Sequence, residues 1–205
     1  MTSIEFQKKI YEKLKIIFPS QGNEELVKIE WNISKGATDP LNPKVRGKIY
    51  LPRPDLAVGP FSLDPGVCNY KETFSDNNDF FEKLFKVSRF SGKANNFEDF
   101  KNNTNKNPRC LIAIEIEASG TTKHRLGDMV NASLLGKVGV IIPLTEKIRN
   151  SFLRIANFFH HAECAGKMPP GVLKNILIIE HDKFEEVLDL EIESVKLKHE
   201  RTVNE

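Results

Sequence analysis

"CLIAIEIEASGTTKHRLGDMVNASLLGKVGVII", residues 110–142, holds the reading that decides the fold. Leu111 to Ile116 is an aliphatic run of the kind that forms a buried strand, and "KVGVIIP" (137–143) is a second, fully apolar one suited to a parallel sheet. Between them, "TTKHRLGDMVNASLLG" (121–136) fits a helix capped by Thr121 or Thr122 and closed by Gly136, with Leu126, Met129, Val130 and Leu134 facing inward. One feature does not belong in a plain core strand. Glu115 and Glu117 stand at its C-terminal end, on the same face because strand side chains alternate, roughly 7 Å apart along the chain. Two like charges there cost stability unless a cation or a proton separates them.

The flanking elements extend the pattern. "SIEFQKKIYEKLKIIF" (3–18) places Ile4, Ile10, Leu14, Ile17 and Phe18 on one helical stripe, with Thr2 or Ser3 as cap and Pro19 as stop. "ELVKIEWNIS" (25–34) alternates Val27, Ile29 and Trp31 as a half-buried strand. "DPLNPKVRG" reads as a turn, and "KIYLPRPDLAVGPF" (48–61) as an extended segment broken by prolines, a hairpin partner or a neighbouring strand. Beyond 142 come a core-facing helix over 146–165 with Ile148, Phe152, Ile155, Phe159 and Ala162 on one face, a strand at 175–180 and a final helix. The expected fold is a single α/β domain over residues 1–205, a layer sandwich with a mixed central sheet flanked by helices. It carries an insertion at about 62–109 and an acidic segment at about 181–205.

The insertion is expected to be partly helical ("DFFEKLFKVSRF") and partly mobile. Six of the fourteen residues in "ANNFEDFKNNTNKN" are asparagine, a type able to read adenine edges. An ordinary surface loop explains them more simply. Charge divides unevenly: residues 180–205 hold nine acidic and four basic residues, a balance of −5, so a net +2 leaves +7 on residues 1–179. That is compatible with a polyanionic partner and equally with a solvated surface. No run of eighteen apolar residues predicts a membrane span, and the charged N-terminus does not fit a signal peptide. Three widely spaced cysteines, Cys68, Cys110 and Cys164, suit free thiols in a cytoplasmic protein. His160, His161 and Cys164 have metal-type spacing but no fourth ligand nearby.

Pro54-Asp55 sits in the second extended segment, where the chain passes from strand to turn-like sequence, so Asp55, Glu115 and Glu117 could bring three carboxylates to one edge of the sheet. Oxygen ligands of this kind suit Mg²⁺ or Mn²⁺. Lys123, His124 and Arg125 occupy the first turn of the following helix, where cations oppose the helix dipole, a local conflict often found at functional sites. Against this stand blander readings. Pro-Asp is common in turns, and Glu-x-Glu on a strand can simply face solvent.

"RPD" followed by "EIE" in an α-β-β-β-α-β frame resembles the PD-(D/E)XK nuclease superfamily, which includes restriction endonucleases. The resemblance spans residues 1–145 in element order and about a dozen residues in motif. It implies a restriction-type, Mg²⁺- or Mn²⁺-dependent DNA endonuclease acting as a homodimer. Asp55 matches the motif aspartate and Glu115 the acidic ligand. Glu117 stands where the family usually has lysine; some restriction-type members have glutamate there. Glu117 would then be a further ligand or a base, and Lys123 would supply the missing cation from the helix. The rival expectations are a non-catalytic nucleic-acid-binding protein of this fold and an α/β interaction protein with idle carboxylates.

Overall fold

The computed structural model describes residues 2–32, 52–62 and 69–203. The turn expected at 39–47, the start of the 48–61 segment and Cys68 lie outside the described residues. Among the described residues the chain order is α1 (Ser3–Ile17), β1 (Val27–Ile29), β2 (Leu56–Val58), α2 (Tyr70–Asp76), α3 (Asn78–Val87), β3 (Phe90–Ser91) and α4 (Phe97–Asn102). It continues with β4 (Cys110–Glu117), α5 (Thr122–Leu135), β5 (Gly136–Pro143), α6 (Glu146–Cys164), β6 (Ile176–Ile178) and α7 (His181–Val203). The strands form one six-stranded mixed sheet in the order β1-β2-β4-β5-β6-β3. The protein is therefore α/β, with helices on both faces of a mixed sheet. No helix among the described residues is long and apolar enough to cross a membrane.

The two aliphatic runs occupy the centre. β4 and β5 pair in parallel from Cys110–Gly136 to Glu117–Pro143, and both are buried along their whole length. β6 continues the parallel set, while β1, β2 and β3 run antiparallel to their neighbours. Alternation sorts the side chains onto two faces. Ile112, Ile114, Ile116, Val138, Val140 and Ile142 join one core with α1 and α7. Ala113 and Ile141 join a second core with α5 and α6.

The second face explains where α5 sits. Ala57, Ala113 and Gly139 lie side by side across β2, β4 and β5, a row with almost no side-chain bulk. A Cβ on Gly139 would lie 2.9 Å from the Ala132 carbonyl group and collide with the Ile176 side chain, so the helix backbone rests on the sheet there. Such close contact demands small residues from the helix too. At the contact α5 offers Ala132, with Ser133 beside it, within a buried stripe that also holds Arg125, Met129 and Leu135. This corrects the expected stripe: Met129 faces inward, but Leu126 and Leu134 are exposed. A similar correction applies in α1, where Phe6 is buried and Ile4 exposed, and in β1, where Ile29 is exposed. Thr2 does cap α1, in a reciprocal pair of bonds with Glu5.

The 62–109 segment is not an appendage. Phe74, Phe80, Phe81, Leu84 and Phe100 are all buried in the first core, and β3 closes the far edge of the sheet against β6. The asparagines of 94–107 largely serve the backbone. Asn96 caps α4, and the Asn105 side chain donates to the carbonyls of Ser133 (3.1 Å) and Leu134 (3.0 Å). Of the insertion expected to be partly helical and partly mobile, the 94–107 stretch is helical over α4 and bonded to α5 through Asn105.

Candidate functional site

Asp55 stands one residue before β2, opposite Glu115, because the register pairs Leu56 with Ile114. The strands stay joined beyond the last ladder pair through the aspartate itself. Its carboxylate accepts from the Ile116 amide (2.7 Å), and its own amide donates to Glu115 Oε2 (3.4 Å). Glu115 and Glu117 share the face that carries α5, and both are deeply buried, 5% and 7% exposed. Neither faces solvent as an idle Glu-x-Glu would.

After β4 the chain turns back over its own end. Ser119 donates its amide to Glu117 Oε1 (2.7 Å), and Gly120 adopts a left-handed φ of 95°. A Cβ at 120 would lie 3.1 Å from Glu117 Oε2, so glycine both permits the turn and leaves the carboxylate room. Thr121 caps α5 through the His124 amide, and Arg125, itself buried, donates from Nη2 to the Gly120 carbonyl (2.8 Å). The cap and this bond fix the first turn of α5 against the end of the strand.

The first two turns of α5 deliver two groups that the strands lack. His124 Nδ1 lies 3.1 Å from Glu117 Oε2 and 3.6 Å from Asp128 Oδ2. Glu117, His124 and Asp128 each offer a ligand atom, and these atoms all lie within 4.8 Å of one another. Asp55 and Glu115 adjoin the group on the Glu117 side. Lys123 is exposed on the outer side of the same turn.

The electrostatics follow from crowding four carboxylates at a poorly hydrated sheet end. Burial, reinforced by Asp55 and Asp128, pushes Glu115 well above the usual carboxylate range. Burial likewise raises Asp55, with the charge of Glu117 adding and the bond from Ile116 opposing. Asp128 is pushed up to about 7, by burial first and by Glu117 against the relief from His124. The Glu117 hydrogen bond and the charge of Asp128 raise His124. The cluster thus holds protons that isolated carboxylates would have lost.

A hard divalent cation fits this donor set. Oxygen donors predominate, and Glu115 Oε1 is buried without a hydrogen-bond partner, so one lone-pair-bearing atom is left unused inside the cluster. Of the residues picked out in the sequence, Asp55, Glu115 and Glu117 are brought together. Asp128 was missed, and His124 was noticed only as a misplaced cation. Their spacing of four on a helix that follows the acidic strand was the available signal, since such residues share a helix face.

Comparison with protein-family models, with curated proteins and with solved structures finds no match to this chain.

Proposed function

We propose that this chain is a metal-dependent DNA endonuclease of restriction type, with a fold of the restriction-endonuclease kind and its active site at the Asp55–Glu115–Glu117 cluster. The observation that supports this most is the convergence of Asp55 and Glu115 from two strands. A buried carboxylate adjoining a half-buried one is costly to stability and has no counter-charge in its own strands. The order of elements from α1 to β5, with its structured insertion, is compatible with the same reading.

Asp55 and Glu115 are the residues we assign to hold Mg²⁺ or Mn²⁺, and Glu117, His124 and Asp128, whose ligand atoms lie within 4.8 Å of one another, are the further candidates. A bound ion supplies polarisation of the scissile phosphate and a lower pKa for a bound water. In this reading Glu117, held by Ser119 and His124, accepts the proton of the attacking water. His124, bonded to Glu117, keeps that carboxylate oriented. Lys123, on the exposed rim of the first turn of α5, is the cation we assign to charge developing on the phosphate. Cleavage of both strands calls for two such sites, so we assign a two-fold homodimer, with exposed Phe158 on α6 as a contact. A monomer by light scattering in the presence of DNA would overturn the dimer alone.

Plasmid nicking tests the reading. Nicking with Mg²⁺ or Mn²⁺ that stops with EDTA is expected, and Glu117→Lys should abolish it; nicking retained or raised in that variant would instead place Glu117 at the family's lysine position and remove its role as base. Salt-sensitive DNA retention without cleavage under every metal condition would favour a non-catalytic nucleic-acid-binding protein. Glu117 at the usual lysine position is the observation behind that second reading. Absence of both cleavage and retention would leave an interaction protein.

A further inference from the structure

A cluster of lysines lies at the opposite end of the central strands. A cleft of about 480 Å³ opens between α2, the end of α4 and the start of β5. Lys71, Lys101, Lys106 and Lys137 line it, together with the rings of Tyr70 and Phe74, and none of its lining residues is acidic. Lys137 is six residues along β5 from Pro143, the partner of Glu117, so about 20 Å separates the cleft from the carboxylates at a strand's rise.

The charges are not neutralised from nearby. Lys101 pairs with exposed Glu98 (3.3 Å), but among the described residues Lys71, Lys106 and Lys137 have no carboxylate within 4.0 Å. The Lys106 ammonium donates to the Asn102 carbonyl (2.8 Å) and that of Lys137 to the Asn105 carbonyl (3.3 Å), which orders both without cancelling their charge. Lys137 is the unusual member. It is only 8% exposed, and lysine is almost never buried unless paired. Burial, with the charges of Lys106 and Lys71 adding, pushes its ammonium down to about 8, a cost that an anion in the cleft would reverse. The walls are also preset. Asn105 is clamped to α5 by its side chain and to Lys137 by its amide (3.1 Å).

We propose that this cleft binds a small phosphorylated ligand of nucleotide size, held by Lys71, Lys106 and Lys137, at a site separate from the carboxylate cluster. Three ammoniums lining one cleft with no carboxylate partner among the described residues call for a multiply charged anion, and lysine binds phosphate as a point charge. The volume lies within the range of roughly 300–1,000 Å³ that holds small organic ligands, more than a bare phosphate needs. The Tyr70 and Phe74 rings offer an apolar wall for a base or sugar, and Asn102 offers an amide at the rim.

Calorimetric titration of the full chain with ADP, pyrophosphate and adenosine, in EDTA, tests this. EDTA keeps metal-bridged phosphate away from the carboxylates. ADP and pyrophosphate should bind once per chain with Kd below about 1 mM, and adenosine should not bind. Lys137→Met keeps the packing of the stem and should weaken ADP by about tenfold or more, the loss of one hydrogen bond to a charged group. Lys106→Ala, at an exposed position, should weaken it in the same direction and guards against a folding defect in the first variant. No ADP binding below millimolar concentration, or unchanged affinity in both variants, would overturn the proposal. Displacement of ADP by duplex DNA with the same lysine dependence would overturn it too, by making the cleft a nucleic-acid backbone contact. Metal-dependent nicking should survive in both variants, so failure here is distinguishable from failure of the nuclease reading.

Discussion

Asp55 and Glu115 hold each other's strands in place: the Asp55 amide donates to the Glu115 carboxylate, while the Asp55 carboxylate accepts from the amide of Ile116, next to Glu115. The pair is therefore both a structural clasp between β2 and β4 and the centre of the candidate site. Substitutions there must be chosen to separate the two roles.

Asp55→Asn and Glu115→Gln keep shape and hydrogen-bonding capacity while removing charge. Each should lower metal-dependent nicking by at least about a hundredfold, the scale of losing a group that stabilises transition-state charge. DNA retention should persist or strengthen, because a neutral amide repels phosphate less. Glu115→Gln should also melt no lower than the parent without metal, since it replaces a buried carboxyl group whose ionisation its surroundings oppose and whose Oε1 has no partner. Undiminished nicking in Asp55→Asn would remove Asp55 from the site.

Stability should fall as pH rises towards neutrality. Asp55, Glu115 and Asp128 have folded-state pKa values above those of an unfolded chain, where carboxylates titrate near 4. From about pH 4 to about 7, where folded Asp128 titrates, the folded chain binds more protons than the unfolded one, so its stability decreases with pH. The raised His124 acts in the same direction: its contribution is full below its unfolded pKa and is lost as pH rises through the folded one. Without metal, the melting temperature should be higher at pH 5.5 than at 7.5, pH values chosen at roughly either side of that upper limit. Mg²⁺ or Mn²⁺ should raise it more at the higher pH, and Asp128→Asn should shrink that rise. A pH-independent melt would contradict the cluster's electrostatics.

Two glycines, Gly139 on β5 under the helix and Gly127 within it, give a paired test of how α5 is seated. Gly139→Ala inserts a methyl against the Ala132 carbonyl and Ile176, and overpacking of this kind costs about 1–3 kcal/mol. It should also lift the helix that carries His124 and Asp128, and so reduce the metal-induced rise in melting temperature. Gly127→Ala meets nothing within 4 Å inside the same helix, and should stabilise by about 0.5–1 kcal/mol. Urea denaturation of both variants checks the contrast.

Phe100→Ala should destabilise by about 3–5 kcal/mol, because the ring is fully buried in the first core. Removal of residues 94–107 should be worse, since it also removes the Asn105 bonds to α5. A truncated chain that melts within a few degrees of the parent would return this segment to the surface-loop reading.

The sequence made the central strands plain because Leu111–Ile116 and Val138–Ile142 are too apolar to be anything but interior. It was misleading for α5, where a large-residue stripe looked like the buried face. Ala57, Ala113 and Gly139 reverse that expectation, because a sheet without bulk takes small helix residues, and this can be seen only once the strands are paired. The same blindness to pairing hid Phe100 within an asparagine-rich stretch. At the site, Asp55, Glu115 and Glu117 were legible from strand position. Asp128 was not, because its place beside Glu117 depends on the Gly120 turn and the depth at which α5 rests.

β4 lies between β2 and β5, yet the chain leaves β2, crosses to the far edge as β3 beside β6, and only then returns to β4. Asp55 and Glu115 are 60 residues apart in the chain. Contacts of that separation are slow to form, because the entropy of closing the loop must be met before pairing returns any energy. From β4 through β6 the sheet is assembled by shorter crossovers. During synthesis, Asp55 must wait for 60 more residues before its partner on β4 exists. The carboxylate cluster, with any reactivity it has, therefore belongs to the finished fold alone.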